Sequence, residues 1–303
     1  MNRGSKELVS IDEARTTSAS GFDGLVFAGG GCRCFWQAGF FHEVQPRLEI
    51  KPKFVAAASA GASLASVAII GRAESALANF KRAAAGNPSN VHLDKLLGPA
   101  PIFPHAALFR DTILETIDAE ALQSLQQGPE FRVALTRPPR SPLGLAPSLL
   151  AGLVAYQLDR WVNDRIHATW PRRLGFKVEW AQVNRCQSIE ELADLLLHTS
   201  CTPPFTPALR RDGKPVIDGG LSNNVPIDAL PECRRILVLL TRSYAKLANT
   251  ERLVYAQPSR EIPIAKWDYT SPRGLQEAFD LGRRDGENFA KAMRGEPPLD
   301  LAE

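Results

Sequence analysis

The sequence predicts an α/β protein with three layers, α/β/α, around a mostly parallel central sheet. Three observations predict it. Short apolar runs that end in glycine or small-residue turns alternate with helical patterns along the 303 residues. The first two runs and the helix between them span about 35 residues, the length of a βαβ unit, whose strands are parallel. No shift in composition divides the chain, so the alternation reads as one layered structure.

In order, residues 1–20 are polar and lack the apolar core and cleavage site of a signal peptide; they read as a flexible arm. Gly24-Leu25-Val26-Phe27 is a buried strand that stops at the loop Gly29-Gly30-Gly31. A helical pattern follows over Phe35–Val44, closed by Pro46. Phe54–Ala58 is a second strand, leading through Ser59-Ala60-Gly61 into a small-residue helix over about Ala62–Ile70. Helical patterns cover Ala106–Gln126 and Ser188–His198. Val216-Ile217 and Ile236–Leu240 read as further parallel strands, and Arg273–Met293 as a last amphipathic helix. Residues 21–295 thus form the expected domain, and 296–303 a tail. The glycine loop and the turn at Ser59 fall at carboxyl ends of parallel strands, where open α/β sheets place their ligands.

Composition narrows the function classes. The chain has 36 basic and 33 acidic side chains, is 44% hydrophobic and 23% charged, and is neither disordered nor collagen-like. A net charge of +3 without a run of basic residues gives no nucleic-acid partner. Five cysteines without paired CxxC spacing argue against a disulfide framework and a structural zinc site, and point to a reducing compartment. No stretch reaches the roughly 18–20 apolar residues of a membrane span. The expectation is a soluble, cytoplasmic protein, peripheral at most to the inner face of a membrane, with no metal or cofactor. Nothing specifies an oligomeric state.

Three motifs carry chemistry. In Ala57-Ala58-Ser59-Ala60-Gly61, a serine sits on a strand-to-helix turn among small residues, the arrangement of a nucleophile elbow. The competing reading makes Ser59 an ordinary helix N-cap. In Gly29-Gly30-Gly31-Cys32-Arg33-Cys34, glycines at a helix start offer backbone N–H groups to a phosphate or a developing oxyanion. A dinucleotide fingerprint fits poorly, because Cys34 stands where its third glycine belongs and no acidic residue ends a strand about 20 residues on. In Asp218-Gly219-Gly220, a carboxylate at a strand end can be a simple turn or a base for the serine. The five histidines are His42, His92, His105, His167 and His198. None lies beyond His198, whereas a Ser…Asp…His order ends on a late histidine, so a Ser–Asp dyad fits better than a triad.

These residues resemble the patatin-like phospholipase family, in particular its bacterial serine lipid acyl hydrolases. The likeness spans roughly residues 22–295 and rests on GGGCRC, AASAG and DGG in that order. The runs Ser200–Pro207, Asn223–Pro226 and Leu281–Gly286 add to it. The resemblance implies that Ser59 is the nucleophile and Asp218 the general base. Backbone N–H groups of Gly30, Gly31 and Cys32 would hold the oxyanion, with Gly29, Arg33, Gly61, Gly219, Gly220 and Asn224 in support. Each oxyanion donor would be worth on the order of 3–4 kcal/mol. The reaction implied is lipid carboxylic-ester hydrolysis through an acyl-enzyme. Two departures stand out: Ala57 replaces the elbow's first glycine, and Cys34 the loop's last.

Residues 137–175 read as a lid or membrane-facing insertion. Its apolar stretch is flanked by arginines and by Trp161 and Trp170, the composition of an interfacial helix, so 142–170 is the expected membrane contact. A core helix pair or a dimer interface is the alternative. Two other functions compete with lipid hydrolysis. One is an acyltransferase or non-lipid esterase using the same dyad; the other is a non-catalytic binder of nucleotide through the glycine loop.

Overall fold

In a computed structural model, residues 21–92, 102–139, 145–162, 166, 169–203 and 206–297 are described. The arm 1–20, residues 298–303 of the tail, parts of 137–175, and Pro204 and Phe205 lie outside them.

Strand β1 (Gly24–Phe27) leads through a 3-10 turn, Gly31–Arg33, into α1 (Cys34–Arg47). Next come β2 (Phe54–Ala58), α2 (Ala60–Ile69), α3 (Ala73–Ala85), α4 (His105–Thr116), α5 (Ala119–Gln127) and β3 (Glu130–Arg137). Then follow α6 (Leu145–Val162), α7 (Trp170–Arg173), β4 (Lys177–Gln182), α8 (Ile189–Thr199), β5 (Leu209–Arg211) and β6 (Lys214–Asp218). The last elements are α9 (Gly220–Asn223), β7 (Ile236–Leu239), β8 (Leu253–Ala256) and α10 (Pro272–Arg294).

The strand order is β5-β6-β3-β2-β1-β7-β8, with β4 also paired to β3. The block β3-β2-β1-β7-β8 is parallel. Its strands are apolar on both faces because both are covered: Leu25 and Phe27 join one core, Val26 and Ala28 the other. Helices α1 and α10 cover the first face at close range; a Cβ on Gly282 would lie 2.1 Å from the Trp36 carbonyl oxygen. The result is the predicted three-layer α/β/α architecture.

Three expectations are corrected. The strand holding Val216-Ile217 is antiparallel, not parallel, to β3 and to β5. The cause is local: Asp212 (φ 52°) and Gly213 (φ 71°) make the tight left-handed turn that joins β5 and β6 as a hairpin. Pro46 does not close α1, which runs to Arg47. The lost N–H falls in the last turn, where Leu48 N still donates to Val44 O at 3.0 Å. The pattern over Ala106–Gln126 is two helices, because Ile117 is extended and the Asp118 carboxylate caps a new start by accepting from Ala121 N at 2.9 Å.

One register positions the site. Strand β4 takes Arg132–Arg137 on one edge of β3. On the other edge β2 pairs up to Ala58↔Ala134, and β6 continues at Asp218↔Leu135. The ends of β2 and β6 therefore abut on successive residues of β3.

Candidate active site

Ser59 follows β2 with φ 55° and ψ −143°, a conformation that side chains rarely adopt. It stands at the N-cap position of α2 without its hydroxyl capping the helix. Instead Oγ donates to Asp218 Oδ2 at 3.0 Å, across 159 positions of chain. The turn is this sharp because its neighbours are small: a Cβ on Gly61 would lie 2.5 Å from the Ala28 carbonyl oxygen. Ala57, in register with Phe27 and Val133, is fully buried in the sheet. The backbone of the turn is held by Thr199, whose Oγ1 accepts from Ser59 N at 2.9 Å and donates to Ala134 O at 2.6 Å.

Asp218 is buried at the end of β6. Its Oδ1 accepts from Gly220 N at 2.7 Å, and its Oδ2 accepts from Thr202 Oγ1 at 3.3 Å as well as from Ser59. Its own N–H donates to Cys201 O, and Gly219 N to Thr199 O. A Cβ on Gly219 would lie 1.9 Å from the Ala134 carbonyl oxygen, so the strand end can sit this close to β3 only with glycine. Burial raises the Asp218 pKa above the ordinary carboxylate value, and the nearby Lys266 ammonium is the main opposing influence. A buried carboxylate with a raised pKa is a stronger base than an exposed one.

The glycine loop is clamped from three sides. Gly29 N donates to Asn224 O at 3.0 Å, while Asn224 Nδ2 and Thr241 Oγ1 donate to Gly29 O at 3.3 and 3.0 Å. The amides of Gly30 and Gly31 donate to no backbone carbonyl among the described residues, and that of Gly30 faces the Cys34 thiol. Cys32 N, expected beside them, is instead turned to Lys266 O at 3.0 Å. This turn requires Gly31 at φ 60°, with a Cβ excluded by the same Lys266 carbonyl. Arg33 is half-buried beside the loop.

The thiols and histidines take other parts. Burial pushes the Cys34 pKa up to about 12 and that of Cys32 well above the ordinary thiol value, so both are protonated. The Cys34 thiol donates to Ala28 O at 3.6 Å. His105 is buried against Tyr269 and Ser200; burial, then Lys266, pushes its pKa down to about 3, which keeps it neutral. No histidine hydrogen-bonds to Ser59 or Asp218 among the described residues. Nor, among them, is any group of three or more His, Cys, Asp or Glu placed to hold a metal ion.

A mainly apolar cleft lined by Leu149, Leu153, Cys201, Ile217 and Leu221 reaches Asp218. Helix α6 forms its far wall and turns Leu150, Val154 and Leu158 outward. No helix among the described residues is long and apolar enough to cross a membrane.

Every candidate site residue from the sequence thus falls in or against one locus at the carboxyl edge of the sheet, with Cys32 as a loop anchor rather than a free donor. Sequence reasoning did not find Thr199, Thr202, Thr241 and Lys266. Thr199 borders the Ser200–Pro207 run that adds to the resemblance and Thr202 lies within it; the last two lie in loops without a motif.

No curated protein matches the chain. Among solved structures, VipD from Legionella pneumophila aligns at 12% identity with a TM-score of 0.44, covering 91% of this chain and 67% of that one. A family profile described as Patatin-like phospholipase matches residues 25–231, which include the glycine loop, Ser59 and Asp218. On that match the chain belongs to the patatin-like phospholipase family.

Proposed function

We propose that the protein is a serine lipid acyl hydrolase of the phospholipase A or lysophospholipase type, working through Ser59 and Asp218. Family membership supports lipid acyl hydrolase chemistry in general. The observation that carries the finer reading is the 3.0 Å hydrogen bond from Ser59 Oγ to Asp218 Oδ2, on a strained turn facing the loop at Gly30 and Gly31.

In this reading Asp218 accepts the Ser59 proton as Oγ attacks the ester carbonyl. The Gly30 and Gly31 amides hold the tetrahedral oxyanion. Collapse expels the alcohol, which takes the proton back from Asp218, and leaves the acyl group on Ser59. Water, deprotonated by the same carboxylate, then attacks the acyl carbon, and Asp218 returns the proton to Ser59 Oγ as the acid leaves. The cleft between α6 and β6 takes the acyl chain, and the outward row on α6 rests on the lipid surface.

A fluorophosphonate probe should label the wild-type protein and leave Ser59→Ala and Asp218→Asn unlabelled. Release of fatty acid from phospholipids and lysophospholipids should be lost in the same two variants. Labelling that survives Ser59→Ala would move the nucleophile elsewhere. Transfer to added alcohols in preference to water would make the enzyme an acyltransferase.

A further inference from the structure

A second, polar cleft adjoins the candidate oxyanion loop, with Tyr156 of α6 in its lining. Gly29 and Gly30 form its floor, and Arg33, Arg242, Tyr244 and Lys266 stand around it. The cleft holds about 440 Å³ of empty space, the open solvent at its mouth included. Its mainly polar lining suits a compact anionic group whose remainder points to solvent, rather than an acyl chain.

Its charge is built in. Three cationic side chains converge on two main-chain glycines, and each is half-buried. The Arg242 guanidinium lies 3.9 Å from the Tyr244 ring centroid, and Lys266 Nζ lies 5.0 Å from that of Trp267. Stacking on rings limits the freedom of both heads, so less entropy is lost when they engage an anion. Lys266 also leads the influences that oppose the raised pKa of Asp218, which sets its charge close to the dyad. Arg242 and Lys266 lie outside residues 25–231, so the family match does not supply them.

We propose that Arg242 and Lys266 form a binding site for a phosphate-type anion beside the ester-cleaving centre, and that it selects lipid substrates whose head group carries net negative charge. The selectivity rests on the function proposed above; the anion site does not. A phosphate at the cleft mouth sits within one side-chain length of the glycine loop, as the phosphate and the nearby acyl ester of one glycerophospholipid require. A guanidinium and an ammonium would supply it with charge-assisted hydrogen bonds.

The test compares two esters with the same acyl chain, a lysophosphatidic acid and the matching monoacylglycerol, in wild type, Arg242→Gln and Lys266→Gln. The ratio of their kcat/KM values cancels any change in Asp218, which acts on both. Wild type should prefer the phosphate ester, and each substitution should lower the ratio about tenfold or more, as expected for losing a charged hydrogen bond. In parallel, inorganic phosphate should raise the Tm of wild type and of Ser59→Ala, but not of Arg242→Gln. A Tm response lost in Arg242→Gln, with an unchanged substrate ratio, assigns the site to free phosphate instead of a head group. A protein that cleaves neither ester, yet keeps the phosphate response, sinks the hydrolase reading and leaves the anion site standing. No phosphate response and no change in the ratio overturn the proposal.

Discussion

At the scale of single residues, the site is made from groups that would be poor choices elsewhere. Ser59 holds a backbone conformation that costs of order 1–3 kcal/mol, and Asp218 is a carboxylate buried beside main-chain glycines. In the proposed reaction both costs set up reactivity: the strained turn aims the hydroxyl at Asp218, and burial strengthens the base. The sign of the pH dependence follows. Asp218 accepts a proton only when ionised, and burial raises its pKa above 3.8. The kcat/KM for a soluble ester should therefore fall on the acid side through a limb whose midpoint lies above that value. A profile on p-nitrophenyl esters measures it; a limb at or below 3.8 would assign the base to another group. The same shift makes ionised Asp218 a destabilising element, an effect absent below the ordinary carboxylate value and complete above the raised one.

At the scale of elements, the third strand of the sheet acts as a ruler. Its residues Ala134 and Leu135 receive the ends of β2 and β6 in succession, which brings Ser59 against Asp218. Thr199, the last residue of α8, locks the three together through Ser59 N, Ala134 O and its own carbonyl on Gly219 N. Thr199→Val should leave a buried amide and a buried carbonyl without this partner, costing about 1–3 kcal/mol of stability. It should also lower kcat tenfold or more with KM little changed, while Thr199→Ser restores both. Denaturant melts and kinetics on a soluble ester check this. A proportionate rise in KM instead would mean that Thr199 shapes the acyl cleft rather than the turn.

At the scale of the whole molecule, the two cores divide the work. Helices α1 and α10 seal one face of the sheet; the other carries α6 over the cleft that reaches Asp218. One helix thus presents Leu149 and Leu153 inward and Leu150, Val154 and Leu158 outward, the last three 65%, 49% and 43% exposed at four-residue spacing. In the proposed function this row, beside the apolar cleft, rests on the lipid surface. Changing Leu150, Val154 and Leu158 together to glutamate should reduce binding to anionic vesicles at least tenfold, as measured by co-sedimentation. Soluble-ester activity and Tm should stay near wild type, since exposed positions contribute little to stability. Retained vesicle binding would place the membrane contact on another face.

Much of this was legible before any coordinates. Glycine, small-residue and DGG motifs at strand ends, in order, implied the three-layer fold and the members of the candidate site, because such turns tolerate few other residues. Even the hairpin that reverses β6 carries its own local signal, Asp212-Gly213. The sequence by itself determined which residues could react and on which edge of the sheet they stand. Only the tertiary structure decided which of them meet: the register on β3, the hydroxyl of Thr199, the Lys266 carbonyl that takes the Cys32 amide, and the cations facing the loop. These come from strand pairing and from loops far apart in the chain, where partners are chosen by packing rather than by any local pattern of residues.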